Sequence, residues 1–227
     1  MRKKFTRNPM QTFLKYTITF ILSLFLSVQF LQAESLKEGH DYIILNNPLN
    51  VPKNSIIEIF NVGCPHCASM NKVLPNLFNV LPEQVEFLPY HIITGAPFSA
   101  QASEVLAVSL ILDKEQNLSP KDSKSHFKRV LEAYFDANFK ERKHFTNKDS
   151  FVSYGLNAAN ITQENFKNTL ENPQTKELLQ VWADASVHTR IQGVPSFIIN
   201  GKYLILAQGL KSEEDFIYKV DYLLGQD

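Results

Sequence analysis

The two cysteines of this 227-residue chain, Cys64 and Cys67, are separated only by Pro65 and His66. At the start of a helix, this spacing lets two sulfurs alternate between a disulfide and a dithiol. The first cysteine is then the exposed nucleophile and the second the buried resolving thiol. No other cysteine remains for a structural disulfide or a four-thiolate zinc site. The pair therefore predicts thiol–disulfide exchange.

Features next to Cys64 favour its thiolate, which is the reactive form. A helix start offers unpaired amide N–H groups and the positive end of the helix dipole. Pro65 fits the first helical turn, and a charged or donating His66 would stabilise the anion further. Because a stable thiolate makes the reduced form favourable, the disulfide is expected to be a strong oxidant.

Two other roles for the cysteine pair have less support from the sequence. A structural disulfide across two residues closes almost no loop, so it would stabilise the fold little. A metal site would need more ligands, and none of the six histidines stands at a ligand spacing beside the pair. We therefore expect neither a metal nor a cofactor.

The chain around the cysteines alternates between strand and helix patterns. Strand patterns occupy residues 41–45, 55–61 and 85–93. The motif opens a helix with apolar residues at steps of three and four, which Pro75 should kink. In such a strand–helix–strand unit, two cysteines at this spacing indicate a thioredoxin-like site.

A long helical stretch follows these strands. Helices are predicted at 100–112 and around the apolar stripe of 127–135, and a shorter helix should stop at Gly155. Thr162 and Asn172 are expected to cap two further helices. Trp182 and the aromatic residues of the stripe are expected to lie in the core.

Strand patterns return at residues 196–199 and 202–206, on either side of the hairpin turn Asn200-Gly201. A last helix should begin at Ser212. The sequence thus predicts an α/β protein with a thioredoxin fold and an inserted all-helical domain. The thioredoxin-like domain would comprise residues 34–93 and 183–227, and the helical insertion residues 94–182.

The N-terminus has the pattern of a secretory signal. Five basic residues precede or flank an uncharged apolar run at 16–31, and Ala33 offers a cleavage point. Residues 1–33 are therefore predicted to be a cleaved signal peptide, with an uncleaved membrane anchor as the alternative. The destination would be the periplasm, an oxidising compartment. The cleaved chain would carry 18 basic and 23 acidic residues, which argues against nucleic acid or anionic membrane as its main partner.

Four short segments resemble the DsbA family of bacterial periplasmic thiol:disulfide interchange proteins. They are Ile57-Glu58-Ile59-Phe60 before Cys64-Pro65-His66-Cys67, then Tyr90-His91, Gly193-Val194-Pro195 and Asn200-Gly201-Lys202-Tyr203. The resemblance implies that the Val194–Pro195 bond is cis, faces the sulfurs and binds substrate. It also implies that Glu58 is a buried acid that moves protons beneath Cys67, although a strand-edge side chain reaching water is the alternative. Pro89 departs from the family, because a lysine stands at this position in a known member.

These observations predict a periplasmic oxidase that donates the Cys64–Cys67 disulfide through a mixed disulfide at Cys64. Its partners would be reduced exported polypeptides and, as the resemblance implies, a DsbB-like membrane quinone reductase. We expect a monomer. A disulfide reductase or isomerase, a non-catalytic peptide-binding module and a metal-handling protein are the alternatives.

Overall fold

The computed structural model describes residues 35–189 and 191–226, apart from the side chains of Ser186 and His188. The predicted signal peptide, residues 1–33, lies outside these ranges. The elements are, in chain order, β1 (Tyr42–Ile44), β2 (Ser55–Phe60), α1 (Pro65–Met70), α2 (Leu74–Val80), β3 (Glu86–His91), α3 (Ser99–Glu115), α4 (His126–Phe139), α5 (Lys148–Ala159), α6 (Gln163–Leu170), α7 (Pro173–His188), β4 (Ser196–Ile199), β5 (Tyr203–Ile205), a 3-10 turn (Ala207–Gly209) and α8 (Glu213–Leu224).

The described strands form a five-stranded mixed sheet in the order β1-β5-β4-β2-β3. β2 and β3 are parallel, whereas the other neighbouring strands are antiparallel. Every residue of β2 is buried, as its nearly continuous apolar run predicts. β3 lies at the edge of the sheet, and this position tolerates Pro89, which has no N–H to donate to a further strand. Helices α3 to α7 lie between β3 and β4, in agreement with the predicted insertion. The exact domain boundaries stay a prediction.

The predicted helix starts and the hairpin turn are confirmed. The side chains of Thr162, Asn172 and Ser212 each accept a hydrogen bond from a backbone N–H in the first turn of the helix that follows. Asn200 and Gly201 both have left-handed backbone angles, with φ of 52° and 65°, as a tight hairpin turn requires. Local sequence chemistry therefore sets these boundaries.

Two local predictions are wrong. The helix after the cysteines is not kinked at Pro75. It ends at Met70, and a second helix, α2, begins at Leu74 with Pro75 in its first turn, where a missing N–H has no cost. Gly155 does not stop a helix either, because α5 continues to Ala159. The Tyr134 hydroxyl lies so close to Gly155 that a Cβ atom would not fit, so the glycine is needed for packing.

The helical part packs directly behind the cysteine motif. α1 contacts α4, whose apolar stripe is buried, and Trp182 is 1% exposed, so both predicted core groups are confirmed. α3 is buried on nearly all sides and contacts α4 to α7. The inserted helices and the sheet thus share one continuous cluster of buried side chains. Among the described helices, none is both long and apolar enough to cross a membrane.

Candidate active site

Cys64 lies where the turn after β2 meets α1, as the N-terminal cap of this helix. Its sulfur accepts a hydrogen bond from the backbone N–H of Cys67 at 3.3 Å, and its thiol donates to the backbone carbonyl of Val194 at 3.2 Å. Cys64 is partly exposed, whereas Cys67 is fully buried. An accessible sulfur is therefore paired with a buried one, as disulfide exchange requires.

Val194 and Pro195 precede β4, and Val194 lies 130 positions after Cys64 in the chain. The peptide bond that joins them is cis, as the family resemblance implies. Both residues are partly buried. The hydrogen bond from Cys64 to Val194 shows that the fold brings the two predicted parts of the site together.

Pro65 and His66 form the exposed surface of the first turn of α1. Pro65 occupies a position where a helix leaves its N–H groups without an internal partner, so the missing N–H costs nothing. The imidazole of His66 is in contact with solvent on the same turn as Cys64. Its contribution to the Cys64 thiolate stays a prediction.

Glu58 lies in the middle of β2, with Pro89 of β3 and Phe197 of β4 as its sheet neighbours. It is 3% exposed, so the side chain does not reach water at a strand edge. Burial raises the pKa of Glu58 to about 8, which keeps the carboxyl protonated at neutral pH. Burial also raises the pKa of the Cys67 thiol, and negative charge on Cys64 or Glu58 raises it further. Because Pro89 carries no charge, the neighbouring residue on β3 does not offset the desolvation of Glu58.

His91 ends β3 and is 1% exposed. Its Nε2 accepts a hydrogen bond from the backbone N–H of Val62 at 3.2 Å and lies 3.3 Å from the side-chain amide of Asn61. The proton is therefore assigned to Nδ1, which donates to the Ser103 hydroxyl at 2.7 Å. Burial lowers the pKa of His91 to about 3, so the ring is neutral. A neutral imidazole thus supports the turn that leads to Cys64.

Asn61, which was not among the predicted site residues, holds the same turn from within. Its side-chain amide donates to the Ile92 carbonyl at 2.7 Å and to the Ser99 hydroxyl at 3.1 Å. Its side-chain oxygen accepts from the backbone N–H of Gly63 at 2.8 Å, and its backbone carbonyl accepts from that of Cys64 at 3.0 Å. A usable signal was present, because an asparagine that ends an apolar strand two residues before a glycine is typical of a side-chain-stabilised turn.

Within residues 35–189 and 191–226, no three His, Cys, Asp or Glu side chains converge in a way that could hold a metal ion. The predicted site residues that do converge are Cys64, Cys67 and Val194, with Glu58 buried behind Cys67. These groups can carry out disulfide exchange and proton transfer.

Comparisons with known proteins agree with this chemistry. The family model described as a DSBA-like thioredoxin domain matches residues 118–221. The thiol:disulfide interchange protein DsbL of Escherichia coli O6:H1 (strain CFT073) is 34% identical over 198 residues, which cover 86% of this chain and 89% of the relative.

Solved structures share the fold. The crystal structure of DsbL from Salmonella enterica serovar Typhimurium has a TM-score of 0.77 and 32% identity, and the match covers 86% of this chain and all of that one. A DsbA variant of Proteus mirabilis with a non-covalently bound peptide, PWATCDS, has a TM-score of 0.70 and 21% identity, over 85% of this chain and all of that one. These matches confirm the predicted thioredoxin fold with inserted helices. The match to DsbL of Escherichia coli covers most of both chains at 34% identity. The chain therefore belongs to the DsbA-like family of thiol:disulfide interchange proteins and is a thiol:disulfide oxidoreductase.

Proposed function

We propose that the chain is a dithiol oxidase that donates the disulfide between Cys64 and Cys67 to exported polypeptides. The observation that carries the proposal is the contrast between the two sulfurs. Cys64 is accessible, while Cys67 is buried. The backbone nitrogen of Cys67 lies 3.3 Å from the Cys64 sulfur, so the two residues are in contact. A substrate can therefore attack only Cys64.

In the first step, a substrate thiolate attacks the Cys64 sulfur of the oxidised protein. A disulfide forms between substrate and Cys64, the Cys64–Cys67 bond breaks, and its electron pair goes to Cys67. Because burial raises the pKa of Cys67, this sulfur leaves readily only if it takes up a proton. Glu58 supports this step, since with a pKa of about 8 it carries a proton at neutral pH and lies within electrostatic range of Cys67.

In the second step, the other substrate thiolate attacks the substrate sulfur of the mixed disulfide. A substrate disulfide forms, and Cys64 leaves as a thiolate. Two electrons have then passed from the substrate to the cysteine pair. The backbone N–H of Cys67 donates to the departing sulfur, and the helix start with Pro65 and His66 adds to its stabilisation.

Val194 is proposed to hold the substrate backbone beside the reacting sulfur, next to Pro195. When the Cys64 sulfur carries a proton, it donates to the Val194 carbonyl. Once the Cys64 sulfur is bonded to a substrate sulfur, it has no proton to donate, so the carbonyl becomes free to accept from an extended peptide. The peptide bound to the Proteus mirabilis DsbA variant supports a peptide as the substrate class.

The proposed location is the periplasm, after export by the predicted signal peptide, as the resemblance to the DsbA family implies. Each turnover leaves Cys64 and Cys67 reduced, so an electron acceptor is needed. A DsbB-like membrane quinone reductase is the proposed acceptor, on the strength of the family resemblance.

The oxidase activity is tested with a reduced, unfolded polypeptide that contains two cysteines. We expect one disulfide in the polypeptide for each molecule of oxidised protein, and no transfer by Cys64→Ser. The matched control, Cys67→Ser, should still form a mixed disulfide with glutathione at Cys64 but should not complete the transfer. A polypeptide that stays reduced beside the oxidised wild type would contradict the proposal and favour a non-catalytic module.

The direction of transfer is tested by equilibrium with glutathione. An oxidase should become reduced at a small proportion of reduced glutathione, because the reduced form is stabilised. A pair that stays oxidised in an excess of reduced glutathione would favour the reductase instead.

A further inference from the structure

A pocket opens beside Cys64, on the side of Gly63. Its volume is about 240 Å³, and it lies between the turn at 61–63, the segment 96–99 and the loop at 143–145. Gly63, the residue before the nucleophile, is exposed and forms part of its wall. Pockets for drug-sized molecules measure about 300–1,000 Å³, so this one suits a single side chain.

The floor of the pocket is aromatic. The rings of Phe98 and Phe145 lie 5.3 Å and 5.1 Å from the ring of Phe151, centroid to centroid, the first stacked and the second edge-on. Phe151 in turn stacks on Tyr134 at 4.4 Å. Phe98 and Phe145 are both partly exposed, so their rings are available to an incoming apolar group.

The buried and partly buried polar side chains of the wall already have partners within the protein. The Asn61 side chain bonds to Ser99 and to the backbone N–H of Gly63. The side-chain amide of Asn138 donates to the Val62 carbonyl at 2.9 Å. An apolar occupant therefore leaves no buried hydrogen-bonding group in this wall unsatisfied.

The backbone of Phe98 supports a binding role. This residue has φ of 59° and ψ of 15°, a left-handed conformation that is unfavourable for a bulky side chain. Such strain persists where the surroundings enforce it, and it is concentrated at active sites and ligand clamps. Here the strained backbone places the Phe98 ring in the floor of the pocket, against Phe151.

We infer that this pocket binds an aromatic or large aliphatic side chain of the polypeptide substrate, within two residues of the reacting cysteine. The inference rests on the proposed function. Gly63 lines the pocket and is bonded to Cys64, so this wall lies about 3.8 Å, one Cα–Cα step, from the nucleophile. An extended peptide advances about 3.3 Å per residue, so a side chain within two residues of the substrate cysteine is close enough to enter the pocket. No acidic residue is among those that line the pocket, and Lys143 at the exposed rim is paired with Glu141 at 3.9 Å, so nothing in the wall attracts a basic side chain.

The test uses reduced two-cysteine peptides in which Phe, Gly or Lys is placed at each position within two residues of the first cysteine. The second-order rate at which each peptide reduces the oxidised wild-type protein is compared with the rate for dithiothreitol, which has no side chain to bind. At one position we expect the Phe peptide to react about tenfold faster than the Gly peptide, and the Lys peptide to be slowest.

Ala96→Trp provides the matched variant, because Ala96 is exposed and its Cβ lies 3.8 Å from where a Cβ on Gly63 would be. The indole would fill the mouth of the pocket, so the ratio of the Phe rate to the Gly rate should fall close to one. The control Ala207→Trp changes an exposed alanine after β5 and should keep the ratio. Phe98→Leu removes one aromatic ring from the floor of the pocket and should lower the ratio partly. It replaces Ala96→Trp if that variant does not fold.

The possible outcomes separate the two proposals. Equal rates for all peptides, with a normal dithiothreitol rate, would overturn the pocket and leave the oxidase intact. A preference for Phe that survives Ala96→Trp and Phe98→Leu would also overturn it, since the side chain would then bind elsewhere. No reaction with dithiothreitol or any peptide would overturn the proposed oxidase itself.

Discussion

Two buried polar clusters lie towards opposite edges of the sheet, and their ionisable groups behave in opposite ways. The ion cluster comprises Lys219, Asp41 and Asp215, where Asp41 directly precedes the edge strand β1. The site cluster comprises Glu58 and His91, on β2 and on the other edge strand, β3. Lys219, Glu58 and His91 are all at most 3% exposed. Burial alone therefore does not decide whether a group keeps its charge.

Pairing keeps the ion cluster charged. Lys219 Nζ lies 2.7 Å from Asp215 and 3.1 Å from Asp41, and it also donates to the Gly209 carbonyl. Burial would lower the pKa of Lys219, but the hydrogen bonds to the two carboxylates outweigh it and leave the pKa raised. The pKa of Asp41 falls to about 2, chiefly because the backbone N–H of Lys37 donates to it.

The site cluster consists of groups that stay neutral. Burial raises the pKa of Glu58 to about 8 and lowers that of His91 to about 3. The residue facing Glu58 on β3 is Pro89, which offers no compensating charge. The comparison shows that buried ionisable groups around one sheet have two roles, because paired charges stabilise the fold whereas an unpaired acid remains able to deliver a proton.

The largest effect is expected when the ion cluster is broken. Lys219→Met leaves two partly buried carboxylates without their cation, so the free energy of unfolding should fall by about 3–5 kcal/mol. The disulfide-transfer rate should not change, because β5 and β4 separate the edge strand β1, which follows Asp41, from β2, which leads to Cys64. Denaturant unfolding and the two-cysteine polypeptide assay measure the two quantities.

Lys140→Met is the matched control for that substitution. It removes a lysine from an exposed ion pair with Asp136 and should cost no more than about 0.5 kcal/mol. Equal losses for Lys219→Met and Lys140→Met would show that the buried pairing does not stabilise the fold.

A smaller, pH-dependent effect is expected at Glu58. The folded-state pKa of about 8 exceeds the ordinary value of 4.5, so between these values the unfolded protein binds fewer protons than the folded one. Stability of the reduced wild type should therefore fall as the pH rises towards 8. His91 in the unfolded state is half titrated at about pH 6.5, and comparison of the variants at the same pH cancels this contribution.

In Glu58→Gln the side chain cannot ionise, so the fall in stability with rising pH should disappear. This fall amounts to at most a few kcal/mol. Glu115→Gln, at an exposed position on α3, should keep it. The unfolding free energy of the three reduced proteins is measured at several pH values. An unchanged slope in Glu58→Gln would mean that Glu58 is ionised in the folded protein.

The smallest effect is expected at His91, which we propose as a positioning residue for the turn before Cys64. His91→Leu removes the acceptor for the Val62 N–H and should cost about 1–3 kcal/mol. The disulfide-transfer rate of His91→Leu should also fall, because the turn that carries Cys64 is less firmly held. His91→Gln, which supplies both an acceptor and a donor, should recover part of the rate. Loss of stability in His91→Leu with an unchanged transfer rate would limit His91 to a structural role.

Much of the fold followed from local patterns. The polar caps Thr162, Asn172 and Ser212 and the turn at Asn200-Gly201 are decided by neighbouring backbone groups, so a short segment contains the needed information. The prediction that Gly155 stops a helix was wrong because the glycine is required by a tertiary contact. Its missing Cβ makes room for Tyr134, which no pattern within α5 reveals.

By itself, the sequence determined where the chemistry lies, because the chain has only one pair of cysteines and their spacing allows a reversible disulfide. Only the tertiary structure decided what surrounds that pair. It brings Val194 to the sulfur of Cys64 across 130 positions, places Glu58 opposite an uncharged residue, and sets His91 behind the turn at Asn61. The physical reason is that reactivity comes from the cysteines, whereas desolvation, hydrogen bonding and access depend on which distant segments pack against them.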